Sequence, residues 1–132
     1  TNGKSTTTRM VRAALQPRGS VASNTNGDNM TSGVITAFMN ARTASAAALE
    51  VDEMHVPSVA DAVRPRVFVC GHSHILRVMY DKHLECLCLN PGAAGISGFH
   101  TVRTLLRFVI DGAEVRDMEV IELGNRSGSV KR

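Results

Sequence analysis

The spacing of the apolar residues changes near residue 74, and this change limits the fold more than any other feature of the 132-residue chain. Before it, apolar residues follow helical spacing in some segments and form short continuous runs in others. After it, they follow the alternation of half-buried strands. Helices between short buried strands are typical of a parallel sheet, whereas alternation is typical of antiparallel strands.

These patterns predict the order of the elements. Helices are predicted at 5–16, 33–42 and 57–63, and buried strands at 46–51 and 66–70. Further strands are predicted at 75–80, 84–89, 102–110 and 114–123, with hairpin turns at 81–83 and 111–112. The fold class that follows is α/β, with a parallel βαβ N-terminal half that continues into a mainly antiparallel β C-terminal half. We expect residues 1–132 to form one layered domain.

The same spacing predicts which residues face the core. The apolar faces of the first two helices consist of Met10, Val11, Ala14 and Leu15, and of Val34, Ile35, Phe38 and Met39. Residues 23–33 form a polar loop, and a frayed polar tail is expected from Arg126 onward.

Composition argues against several classes of partner. The net charge of +3 comes without a stripe of Lys and Arg between aromatic residues, so nucleic acid is not an expected partner. No apolar run has membrane length and no signal peptide is visible, so we expect a cytoplasmic protein without a membrane partner. The three cysteines lie in apolar runs and are predicted to be reduced, buried thiols.

The first residues have the pattern of a phosphate-binding loop. In such loops, backbone N–H groups at a helix N-terminus face the anion, a lysine contacts the phosphates and a hydroxyl reaches Mg²⁺. The candidate residues for binding phosphate or a nucleotide are Asn2, Gly3, Lys4, Ser5 and Thr6. The alternative is an ordinary helix start. Since the chain begins inside the motif, we expect a truncated or assembled sequence.

Acidic residues follow the first predicted buried strand, at Glu50, Asp52 and Glu53. Carboxylates in this position can lie next to a phosphate loop and hold its Mg²⁺. The alternative is a solvated helix N-terminus, where acidic residues complement the helix dipole.

Three motifs, at residues 1–8, 26–33 and 49–53, resemble the central ATP-binding domain of Mur ligases, and the resemblance covers about residues 1–66. It implies that Lys4 holds ATP phosphates and that Ser5 and Glu50 lie beside Mg²⁺, with ATP-Mg as the cofactor. The strand before the loop, the rest of the ATPase domain and the C-terminal ligase domain have no counterpart here. The resemblance therefore implies phosphate or nucleotide binding, without amide-bond ligation.

A second candidate site is the sequence Gly71-His72-Ser73-His74, directly after a predicted buried strand. In a tight turn both imidazoles can reach one metal, and neutral histidine suits Mn, Fe, Zn or Ni. The alternative is a pair of ordinary core or surface histidines. Of the others, His83 is expected to be solvated. A loop at His100 that approaches a ligand, and His55 as an adventitious third ligand, are the less favoured alternatives to a structural role.

The segments 67–75, 89–95 and 103–112 resemble the C-terminal half of a bacterial calcineurin-like metallophosphoesterase, over about residues 66–125. The resemblance implies that His72 and His74 are ligands of a two-metal centre that polarises phosphate. The remaining ligands of that family have no recognisable counterpart, so we expect an incomplete metal site.

The two resemblances meet near residues 62–67, which predicts a chimera or hybrid fragment: a Mur-ligase-like segment at 1–66 and a phosphoesterase-like segment at 67–132. Ligands of open α/β sheets bind beyond the carboxyl ends of strands. A composite crevice can therefore combine the two sites. Its predicted metal ligands are His72, His74 and Glu50, with Lys4, Ser5 and Asp52 nearby. The cofactor is a divalent metal, Mn or alternatively Zn, Ni or Mg.

Three functions remain open. The chain can be a metal-dependent phosphoesterase with weak or no catalysis, an ATP- or phosphate-binding module without turnover, or a structural chimera with no selected activity. The expected partner is a phosphate-containing small molecule or nucleotide. An exposed sheet edge can also support a homo-oligomer.

Overall fold

The computed structural model describes residues 4–24, 30–51, 53–96 and 100–126. Two compact units divide the chain, Thr1–Val63 and Arg64–Arg132. The mixed α/β class predicted from the sequence is confirmed, with a parallel strand pair early and mainly antiparallel strands later. The single domain and the two-family origin of the segments stay predictions.

Helices dominate the first unit. Its elements in chain order are α1 (Lys4–Leu15), a 3-10 turn (Gln16–Arg18), β1 (Val21–Ala22), α2 (Thr31–Asn40), β2 (Ala46–Ala47), a second 3-10 turn (Glu53–His55) and α3 (Val56–Val63).

The strands β1 and β2 run parallel and are joined through α2. They form a βαβ unit whose connection is long enough for a parallel crossover. Their register pairs Val21 with Ala46 and Ala22 with Ala47. The pairing continues one step further, because the Ala48 N–H donates to the Ala22 carbonyl at 2.9 Å.

The parallel pair is not the one that the sequence predicted. We expected strands at 46–51 and 66–70 to share a sheet, but they belong to separate sheets, and β1 is the partner of β2. With two residues, β1 is too short to show a periodicity. The strand at 46–51 is also shorter than predicted, since its regular part ends at Ala47.

The predicted helix faces need correction as well. In α1, Met10 is 68% exposed and Val11 is 44% exposed. In α2 the buried residues are Gly33, Val34 and Ala37, whereas Ile35 and Met39 lie outside. The packed side of α2 therefore consists of residues smaller than Ile35 and Met39. They allow the helix to approach its neighbours more closely than the larger side chains would.

The second unit consists of strands. They are β3 (Val67–Val69), β4 (Leu76–Asp81), β5 (Cys86–Pro91), β6 (Val102–Asp111) and β7 (Glu114–Asn125). One sheet has the order β3-β5-β4, with β3 parallel and β4 antiparallel to the central β5. Because β5 is central, its residues Cys86 and Leu89 are the largest fully buried side chains among the described residues. The strands β6 and β7 form an antiparallel hairpin.

Both predicted hairpin turns are present. Between β4 and β5, Asp81 Oδ1 accepts hydrogen bonds from the backbone N–H groups of His83 (2.9 Å) and Leu84 (3.0 Å). The bond from Leu84, followed by that from His83, lowers the pKa of Asp81. Between β6 and β7, Gly112 takes φ +58°, a left-handed conformation that tight hairpin turns require.

Arg126 is not part of a frayed tail. The residue is buried, and its guanidinium donates to the carbonyl oxygens of Ala93 (2.9 Å), Gly95 and His100 (2.6 Å). A buried guanidinium has to satisfy its N–H groups, and here backbone carbonyls do so. Arg126 therefore fastens the end of β7 to the chain that follows β5. The rest of the predicted tail lies outside the described residues.

In the part of the chain that the structure describes, no helix has both the length and the apolar character needed to cross a membrane.

Candidate functional site

The carboxyl ends of β1 and β2 lie side by side, because the two strands are parallel and in register. The segments that leave these ends contain Asn24 and Glu50. In open α/β sheets this edge is where ligands bind.

Asn24 holds the backbone of Glu50 with two hydrogen bonds. Its Nδ2 donates to the Glu50 carbonyl at 2.6 Å, and its Oδ1 accepts from the Glu50 N–H at 2.9 Å. Asn24 is only 9% exposed, so its side-chain amide is largely shielded from water, whereas Glu50 is half-buried. The amide side chain thus replaces the strand partner that residue 50 lacks at the end of the sheet.

The side chain of Glu50 meets the first turn of α1. Ser5 Oγ donates a hydrogen bond to Glu50 Oε2 at 2.6 Å. Since α1 begins at Lys4, Ser5 lies at the helix end where N–H groups remain unsatisfied within the helix and carry partial positive charge. A hydroxyl and a carboxylate therefore meet beside a helix N-terminus.

This arrangement brings together two of the predicted residues, Ser5 and Glu50. Lys4 is the first residue of α1, and Thr6 is exposed on the same turn. Asn2, Gly3 and Asp52 lie outside the described residues. The roles assigned to all of them stay predictions.

The oxygen atoms at this edge fit the cofactor that the sequence implies. Hydroxyl and carboxylate oxygens are ligands that Mg²⁺ prefers, and a helix N-terminus attracts phosphate. Ser5 and Glu50 would hold the Mg²⁺, and the first turn of α1 would face the phosphates.

His55 lies in the second 3-10 turn, close to the start of α2. Its Nδ1 is 3.4 Å from Thr31 Oγ1. The contact links the second 3-10 turn to α2, and the role of His55 as an adventitious ligand stays a prediction.

The histidine turn connects β3 and β4. His72 and His74 have φ values of +74° and +58°, in the left-handed region that L-residues with side chains rarely adopt. Ser73 lies between them, and its N–H donates to the Gly71 carbonyl at 3.0 Å. Such strain persists only when the surroundings hold it in place.

Asn90 provides that support from the neighbouring strand. Its Nδ2 donates to Ser73 Oγ at 3.0 Å and to the Gly71 carbonyl at 3.3 Å, while its Oδ1 accepts from the Gly92 N–H at 3.0 Å. Asn90 is buried, so these bonds fix the turn against the end of β5.

The two histidines differ in exposure: His72 is exposed and His74 is half-buried. Within residues 4–24, 30–51, 53–96 and 100–126, no group of three or more His, Cys, Asp or Glu side chains could hold a metal ion. Glu50 belongs to the first unit and the histidines to the second. The composite crevice and its ligand set stay predictions.

The remaining histidines take part in structure through their backbones. The exposed His83 lies in the β4–β5 turn, where its carbonyl accepts from Arg64 Nη1 at 3.0 Å. His100 contributes a carbonyl to the Arg126 guanidinium.

Sequence reasoning missed Asn24 and Asn90. Both bind through their side-chain amides to backbone atoms distant in the sequence, 26 residues away for Asn24 and up to 19 for Asn90. The available signal was position, since Asn24 follows β1 closely and Asn90 lies near the end of β5.

Part of the chain is distantly similar in sequence to a Mur ligase-like subunit. The relative is the lipid II isoglutaminyl synthase (glutamine-hydrolyzing) subunit MurT of Streptococcus pneumoniae, which is 33% identical over 90 residues. The match covers 64% of this chain but 20% of that subunit, so the chain spans about a fifth of the relative's length.

No protein-family model matches the chain. No solved structure matches it significantly. These comparisons lend no support to a phosphoesterase segment, which stays a prediction.

Proposed function

We propose that the first unit binds a phosphate-containing ligand, a nucleoside triphosphate with Mg²⁺, without turning it over. The observation that carries the proposal is the 2.6 Å hydrogen bond between Ser5 Oγ and Glu50 Oε2 beside the N-terminus of α1. A hydroxyl and a carboxylate this close together support the proposal, because Mg²⁺ takes such oxygens as ligands.

The support for Glu50 strengthens the proposal. Asn24 holds both the N–H and the carbonyl of Glu50, so the backbone that carries the carboxylate is fixed. Binding then costs less conformational entropy than it would at a free loop residue.

The partial similarity to MurT also supports a nucleotide ligand, because the resemblance of residues 1–66 is to the ATP-binding domain of Mur ligases. Lys4, which directly precedes Ser5, would contribute the positive charge that such loops direct at phosphates. Turnover would need further groups to position a nucleophile, and the proposal assigns none.

The test is stabilisation of the chain by ATP with Mg²⁺, measured as a shift in the thermal unfolding midpoint. A ligand at about 100 times its Kd stabilises the folded state by about 2.7 kcal/mol. We expect the shift to disappear in Lys4→Ala and to fall in Ser5→Ala and Glu50→Gln.

A matched control is Thr7→Ala, which removes a hydroxyl from an exposed position of the same helix, two residues past Ser5. It should keep the full response. An equal response in the wild type and in all three site variants would refute the proposed site. The same holds for a wild type that does not respond.

A second candidate is metal-dependent hydrolysis of a phosphate ester at the histidine turn. The observation that favours it is the left-handed conformation of both His72 and His74, held in place by the buried Asn90. A divalent metal, Mn or alternatively Zn or Ni, would polarise the ester there. Turnover of bis-p-nitrophenyl phosphate with Mn²⁺ that is lost in His72→Ala would support this function. Equal turnover in His72→Ala would contradict it.

A further inference from the structure

Sulfur atoms gather on one face of the β3-β5-β4 sheet. Residues two apart in a strand share a face, so Cys86 and Cys88 of β5 lie on the same side. The register places Met79 of β4 opposite Cys88. Side chains directly opposite each other on antiparallel strands are close enough to interact.

The two thiols of β5 are neighbours on one face of the strand, since Cys86 and Cys88 are two residues apart. Burial, followed by the neighbouring Cys88, raises the pKa of Cys86 to about 11. Cys86 is therefore held as a thiol at neutral pH, and only a ligand with strong affinity for sulfur would displace its proton.

The third sulfur, Met79 Sδ, is held by a hydrogen bond and is accessible to solvent. Arg77 Nη2 donates to Met79 Sδ at 3.2 Å, which keeps the thioether on the same face. Met79 is 37% exposed and Cys88 is half-buried, whereas Cys86 is fully buried. An ion can therefore approach past Met79 and reach Cys88.

We propose that Cys86, Cys88 and Met79 form a binding site for one thiophilic monovalent cation, Cu(I) or Ag(I). Thiolate and thioether sulfurs are the soft donors that Cu(I) selects. These ions accept two or three donors, which agrees with a site that offers two cysteines. A four-ligand zinc site would need more.

Binding changes the charge at this site. It displaces one proton from each thiol, and two thiolates with one monovalent cation leave a net charge of −1. Arg77, two residues from Met79 on the same face, supplies a neighbouring positive charge, and Asp81, opposite Cys86, supplies a negative one. The protons pass to buffer, so affinity should increase with pH.

The test is a Cu(I) titration of the reduced chain without oxygen, with bicinchoninate as the competing ligand. We expect one equivalent of Cu(I) to be withdrawn from the competitor. Loss of an outer-shell partner alone reduces metal affinity by about 10 to 100-fold, so Cys88→Ser and Met79→Leu should each weaken binding at least about tenfold.

Met39→Leu serves as the matched control, because it removes an exposed thioether of α2 in the first unit. It should bind Cu(I) like the wild type. Met79→Leu keeps the side-chain volume, and circular dichroism of each variant shows whether it is folded.

Failure of the wild type to withdraw Cu(I) would overturn the proposal. So would a folded Met79→Leu variant with wild-type affinity, or a loss of binding in Met39→Leu as large as that in Met79→Leu. These outcomes do not depend on ATP binding in the first unit.

Discussion

Replacing Asn24 by alanine should destabilise the backbone that carries Glu50 in the candidate phosphate site. The substitution removes the two hydrogen bonds to the backbone of Glu50, at 2.6 and 2.9 Å, and touches neither Ser5 nor the carboxylate. It therefore separates the support of Glu50 from its chemistry.

The magnitude follows from the two lost bonds. A hydrogen bond contributes about 1 kcal/mol net, and a buried group left without a partner costs about 1–3 kcal/mol. Glu50 is half-buried, so water can replace part of the lost bonding. We expect Asn24→Ala to lower the free energy of unfolding by about 2 kcal/mol.

Two measurements check this value: the urea midpoint of the chain and the hydrogen-exchange rate of the Glu50 amide. Asn40→Ala is the control, because Asn40 is exposed at the end of α2 and its loss should change stability by less than about 0.5 kcal/mol. The reasoning is refuted if Asn24→Ala matches this control and the Glu50 amide exchanges at its wild-type rate.

Three further predictions concern the second unit. Gly92→Ala should destabilise the chain by about 1–3 kcal/mol in the urea titration, since the added Cβ would come within 2.2 Å of a threonine Oγ1. Gly71→Ala should have little effect in the same titration, because a Cβ at that position would have no other atom within 4 Å. Arg126→Met should cost at least about 2 kcal/mol because it removes the hydrogen bonds that a buried guanidinium donates to the carbonyls of Ala93, Gly95 and His100, whereas the exposed Arg116→Met should cost at most about 1 kcal/mol by chemical denaturation. Hydrogen bonds lower the pKa of Asp81, so its contribution to stability is present above pH 3.8 and is lost as the pH falls through the lower folded-state pKa. Urea midpoints measured across this range should fall less steeply in Asp81→Asn than in the wild type.

The second unit was the easier part of the fold to predict. The alternation of apolar residues marks β4 to β7, and turn residues mark both hairpins, because each signal is local. In the first unit the helices were found, but β1 was missed and β2 was given the wrong partner. A strand of two residues carries no periodicity, so only the tertiary structure reveals it.

The candidate site also contains features that the sequence alone did not reveal. Sequence motifs marked Ser5 and Glu50 as neighbours, and the structure joins them by a hydrogen bond. They did not mark Asn24 or Arg126, which bind backbone atoms at positions that the fold alone brings close. An amide or guanidinium that binds main chain needs no particular residue opposite it, and therefore leaves no paired signature in the sequence.

The grip of Asn24 on main-chain atoms has a consequence for how this edge can change. Asn24 contacts the N–H and carbonyl of residue 50, which every amino acid except proline possesses. Aspartate, glutamine or histidine at position 50 would thus be presented from the same anchor point. The side chain at position 50 can therefore be exchanged, in evolution or by protein engineering, while Asn24 continues to hold the backbone of that residue.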